Sequence, residues 1–162
     1  MSITTSDILL LAHAGFGATG CVAAVWVFVE ALNAQPGNAA RLRAAAMAAA
    51  VAMAGAWICG GYWYVHFYPA DKALILQGPW PFAHNLFMET KEHLFFITAM
   101  LAFLLPIVVR GNVGSNAAAR KLVLSVAALT AVTGMAVEGA GAIIEHGAKV
   151  ALVSGSSKAA PR

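Results

Sequence analysis

The sequence predicts an all-α membrane protein, a four-transmembrane-helix antiparallel bundle, and three observations carry that reading. Of 162 residues, 60% are hydrophobic and only 10% charged, with a mean hydropathy of +0.76. Such a chain has too little polar surface for a water-soluble fold. Four apolar runs each reach the roughly 20 residues that an α-helix needs to cross the hydrocarbon. None shows the period-2 alternation of a barrel strand, so each must satisfy its backbone internally as a helix.

The first run covers about residues 8–32. It has no positively charged segment before it and is too long for the core of a signal peptide, so it is expected to be retained. The turn cluster Asn33-Ala-Gln-Pro-Gly-Asn38 separates it from a second run at about 42–67. A Pro- and Gly-containing loop from Pro69 to Pro81 leads to a third at about 82–109, and a turn cluster from Arg110 to Asn116 to a fourth at about 122–146. One transmembrane domain is thus expected over residues 1–153, followed by a flexible polar tail, 154–162.

The charge pattern orients the bundle. Arg41 and Arg43 fall in the first connection and Arg110, Arg120 and Lys121 in the third, with no acidic residue beside them, whereas the other end mixes both signs. The purely basic end is expected in the cytoplasm, which places both termini on the periplasmic side of a bacterial inner membrane. A formal charge of +3 without any basic run interleaved with aromatics excludes nucleic acid as a partner class. Glu30 is expected to pair with Arg41 or Arg43 by snorkelling. The stretch Gly15-Phe-Gly17-Ala-Thr-Gly20 imitates a dinucleotide fingerprint but lies inside a membrane helix with no strand before it, so it reads as helix packing. Cys21 and Cys59 fall inside apolar runs and read as buried thiols.

All five histidines map to the predicted periplasmic end. Counting about 1.5 Å per helical residue puts His13 and His93 roughly 8–15 Å below the outer boundary, with Cys59 and Glu138 near the same depth. His66, Glu89, Glu145 and His146 fall in a shallower layer, and His84 at the interface. Spacing aligns Glu89 with His93, Cys59 with Tyr62 and His66, and Glu138 with Glu145. Because ionisable groups are costly in hydrocarbon, these stripes are expected to face the bundle interior. Helices one and three are diagonal in an up-down bundle, so His13 and His93 are expected to face each other as two axial ligands of a haem. Gly17, Gly20 and Ala24 on one helix, with Gly139, Gly141 and Ala142 on another, would give it space. Glu138 would orient a ligand ring, Tyr62 would donate a hydrogen bond to a cofactor or quinol, and Lys91 would neutralise propionates or snorkel outward.

With His13 and His93 so placed, the chain resembles the four-helix membrane b-type cytochromes that pass electrons between quinols and other carriers. The resemblance implies haem b, electron transfer near the periplasmic face, a quinol or periplasmic carrier as partner, and the role of a quinol-linked redox subunit. The chain departs from those cytochromes in offering no ligand in the cytoplasmic half, which confines any cofactor to one side. Two alternatives stand beside this reading. One is a non-haem metal-binding protein with a single Cu, Fe or Zn held by His13, His93, His66, His146, Glu89 or Cys59. The other is a cofactor-free accessory subunit that packs against other membrane subunits or against copies of itself.

Overall fold

The computed structural model describes residues 3–159, with side chains described to residue 155. It contains five α-helices and, among the described residues, no strand: α1 (Thr5–Leu32), α2 (Ala39–His66), α3 (Tyr68–Gln77), α4 (Glu89–Val108) and α5 (Ala117–Ala159). A 3-10 turn, Pro36–Asn38, precedes α2, and a π-helical turn, Ala83–Met88, runs into α4. Four helical segments are long and apolar enough to cross a membrane. Their outward residues bear this out: Leu11 is 76% exposed, Val22 69%, Val65 67% and Ile107 62%. Apolar exposure on that scale belongs against lipid.

Local chemistry sets the helix ends. Thr4 and Asp7 close a capping box at α1, with the Thr4 backbone N–H donating to Asp7 at 2.9 Å and the Asp7 N–H to Thr4 Oγ1 at 3.3 Å. After α1 the buried Asn38 holds the turn: its amide donates to the Glu30 carbonyl (3.0 Å), the Glu30 carboxylate (2.8 Å) and the Asn33 carbonyl (3.2 Å). Glu30 also takes Arg41 as its partner at 2.9 Å. Asn116 caps α5 by accepting from Ala118 N–H (2.9 Å) and Ala119 N–H (3.2 Å). Arg120 then donates to the carbonyls of Ala34 and Gly114, tying the two basic connections together at one end.

Three segments differ from the sequence reading. The loop expected from Pro69 to Pro81 contains α3, because Pro69 occupies the first helical turn, where its missing N–H costs nothing, and Gly78 ends the helix. The start of the third run is a π turn, not a plain α-helix. Residues 154–159, expected within a flexible tail, continue α5; residues 160–162 lie outside the described part of the chain.

α1 packs against α2 and α5, and α4 against α5 and α2. Around Arg120 the interior is alanine-rich: Ala24, Val27 and Ala31 of α1, Ala45, Ala46 and Ala49 of α2, Leu105 of α4 and Val123 and Ala127 of α5. Small side chains let helix backbones approach closely. At the other end Tyr68, Ile75, Ala83, Met88 and Ile144 form a second core, in which α3 and the π turn pack onto α5. Polar groups gather between the two.

Candidate functional site

Three ionisable side chains meet in this middle zone, each on a different helix and each facing a glycine. The His13 ring of α1 lies against Gly60 of α2, the Glu138 carboxylate of α5 against Gly17 of α1, and the Lys91 ammonium of α4 against Gly141 of α5. A Cβ at Gly141 would lie 3.0 Å from Lys91 Nζ, and those at Gly60 and Gly17 would overlap the ring and the carboxylate. The glycines therefore supply the volume these side chains occupy. Lys91 and Glu138 interact electrostatically without a direct ion pair, and His13 feels the Lys91 charge. Burying such groups in a helix bundle is costly enough to mark a site.

A cavity of about 380 Å³ opens beside them. His13, Lys91 and Glu92 supply ionisable groups to its wall, and Trp57, Tyr64 and Phe95 are among its aromatic lining. His13 Nδ1 lies 2.8 Å from the Ala56 carbonyl. A carbonyl only accepts, so the neutral ring carries its proton on Nδ1 and leaves Nε2 as an acceptor. The Tyr64 hydroxyl approaches the Glu92 carboxylate, whose Oε1 is buried with no hydrogen-bond partner. Exposed Trp57, Val65 and Phe96 border the cavity, so its mouth lies on the apolar flank of the protein, at the seam of α2 and α4. A smaller cavity behind it reaches Cys21, Thr98 and Glu138.

Above the cavity the Tyr64 ring stacks on Tyr68 at 5.2 Å, and the Tyr68 hydroxyl meets His84 Nδ1 at 2.9 Å. Burial pushes the Tyr68 hydroxyl well above the usual phenol range and Asp71 above the usual carboxylate range. His84 Nε2 is 3.8 Å from Glu89 Oε1.

The residues singled out from sequence divide accordingly. His13, Lys91 and Glu138 are brought together. His93 is not: it is exposed on the side of α4 away from the core, with Nδ1 bonded to the Glu89 carbonyl at 2.7 Å. His13 and His93 therefore form no axial pair within one chain, and the residues present do not fit a bis-histidine haem between them. Tyr62 and His66 pack against each other at a tilt (4.2 Å between ring centres) outside the cavity, and His146 packs on Trp80 (5.0 Å). Cys59 is half-buried and free, and does not line the cavity. Among the described residues no group of three or more His, Cys, Asp or Glu is disposed to hold a metal ion.

Glu92, Tyr64 and the Tyr68–His84 bond were missed. A signal for α4 existed: Lys91, Thr98, Ala102 and Leu105 share one helical face, and Thr98 and Ala102 are small, as a packed face requires. The face of His93 carries bulky Phe96, Met100 and Ile107. Comparison with protein-family models, curated proteins and solved structures finds no match.

Proposed function

We propose that this protein is an integral membrane protein, an antiparallel four-helix bundle, that binds a lipid-borne quinone or quinol in the half of the membrane nearer its termini. The helix pairings support the bundle, since partners run in opposite directions: Ser6 with Trp63, His13 with Ala56 and Gly20 with Met53 on α1 and α2, and Gly17 with Glu138 and Cys21 with Gly134 on α1 and α5. The joined basic connections then lie in the cytoplasm and the termini in the periplasm of a bacterial inner membrane.

The observation that carries the ligand reading is the state of His13. Its Nδ1 is committed to Ala56 and its ring seated on Gly60, so Nε2 is a fixed acceptor beside a cationic donor, Lys91, and a carboxylate, Glu92. A quinol hydroxyl donates to such an imidazole nitrogen, and a quinone carbonyl accepts from such an ammonium. The cavity volume lies in the roughly 300–1,000 Å³ range of small-molecule sites. A mouth on the apolar flank suits a ligand dissolved in the bilayer. This reading keeps the quinol partner expected from the sequence and replaces haem, which needed His93 on the inner face.

The test uses the full chain in lipid nanodiscs, titrated with a short-tailed benzoquinone and followed by quenching of tryptophan fluorescence, since Trp57 lines the cavity. Saturable quenching is expected, weakened at least about tenfold by His13→Ala, which removes a hydrogen bond and its geometry. Non-saturable quenching that His13→Ala leaves unchanged refutes the reading. A Soret band in the purified protein refutes it in favour of haem, and stoichiometric metal without haem in favour of a metal centre.

A further inference from the structure

The wall of the cavity holds one polar atom that the fold leaves unmatched. Glu92 Oε1 is buried and, among the described residues, has no hydrogen-bond partner. The Tyr64 hydroxyl approaches the same carboxylate, and the Tyr64 ring is held by stacking on Tyr68, whose hydroxyl His84 fixes in turn. His13 adds a second acceptor, Nε2, because its Nδ1 proton is committed to the Ala56 carbonyl. α1 and α4 therefore each present an acceptor to whatever enters. A buried acceptor left without a donor costs about 1–3 kcal/mol, so a ligand that fits this wall brings hydrogen-bond donors of its own.

We infer, on the quinone or quinol reading above, that the site binds the quinol in preference to the quinone and that Glu92 sets the preference. A quinol carries two O–H donors, one for His13 Nε2 and one for Glu92 Oε1. A quinone carries acceptors only, and leaves both atoms unpaired against its carbonyl oxygens. A site built to receive a hydroxyl rejects the analogue that lacks it for this reason. The donors in the wall do not discriminate. The oxygen of a quinol hydroxyl accepts from Lys91 as a quinone carbonyl does, and the Trp63 indole already donates to Ser6 at 2.9 Å. From a mixed pool in the bilayer the cavity therefore fills with the reduced form.

Competition in oxygen-free lipid nanodiscs tests the preference on the full chain. A short-tailed benzoquinone is titrated by quenching of tryptophan fluorescence and then displaced by its own quinol, an exchange that leaves the amounts of the two unchanged. The quinol is expected to bind at least about tenfold more tightly, the scale of one unmatched buried acceptor. Glu92→Gln keeps the shape of the side chain, but with its oxygen facing the Tyr64 hydroxyl it turns an N–H donor toward the ligand. The preference is expected to fall at least about tenfold in this variant, with quinone affinity equal or higher, which a merely structural loss does not give. Glu92→Leu, which suits a membrane helix and offers neither donor nor acceptor, is expected to fall between the two. All three proteins see the same lipid, so partitioning of the two forms cancels from the comparison. Equal affinities, or a tighter quinone, overturn the preference while quinone binding itself stands. A preference unchanged in both variants overturns the role of Glu92. Saturable binding of neither form to the unsubstituted protein overturns the quinone or quinol reading and the preference with it.

Discussion

Gly60→Ala puts the niche of His13 to a direct test. The new methyl would overlap the imidazole, with the ring Cε1 at 2.6 Å and Cγ at 3.1 Å from it. The ring cannot yield as a long side chain does, because its near atoms sit close to the α1 backbone. It must leave its rotamer, at about 1 kcal/mol, and surrender the bond to the Ala56 carbonyl, at about another. Overpacking of the seam adds roughly 1–3 kcal/mol, and the helix preference of alanine over glycine returns about 1. A net loss of roughly 2–4 kcal/mol is expected, together with weaker quinone binding. Gly61→Ala is the matched control, one residue along the same helix, where a Cβ meets nothing within 4 Å. Unfolding by sodium dodecyl sulfate in mixed micelles, followed by tryptophan fluorescence, reads the difference. Indistinguishable midpoints for the two variants would refute the niche and, with it, the fixed acceptor at Nε2.

The same comparison extends to Gly17→Ala against Gly15→Ala and Gly141→Ala against Gly139→Ala, since Gly15 and Gly139 also have open space. The carboxylate and ammonium tips can swing aside, so losses below about 1 kcal/mol are expected, smaller than for Gly60→Ala. Tyr68→Phe leaves the buried His84 without its partner and is expected to cost about 1–3 kcal/mol in the same titration, with quinone affinity unchanged because neither residue lines the cavity. Asp71 is held above its ordinary value by burial, so its charging opposes folding. Its contribution to stability is lost as pH rises through the raised value, and Asp71→Asn is expected to flatten that dependence and to be the more stable form at neutral pH.

How much was legible from sequence follows from the range of each signal. Transmembrane helices announce themselves by composition over twenty residues, because hydrocarbon tolerates nothing else, and all four were found. Depth was legible too: counting residues placed His13 and Glu138 at one level, where they are found near Lys91. Rotation about the helix axis was not. His93 and Lys91 differ by two positions, about 200°, and a reading that assumes ionisable groups face inward cannot assign opposite faces to residues so close. Lys91 was read as a helper and His93 as a ligand, and the structure places only the first at the cavity. α3 was hidden because proline marks a loop in most contexts, and only its position in the first turn makes it a helix starter.

The π turn at Ala83–Met88 separates two parts of the protein that a continuous helix would lock in phase. Such a turn is an α-helix with one residue inserted, and deleting that residue would rotate everything before it by about 100° relative to α4. Ala83 and His84, with their contacts to α3 and α5, lie before or within the insertion; Lys91, Glu92 and Phe95 lie after it. A change of length here therefore redirects the roof while leaving the ligand-facing wall unmoved. Variation in chain length at this point is a route by which the roof can diverge between proteins that keep the same interior wall.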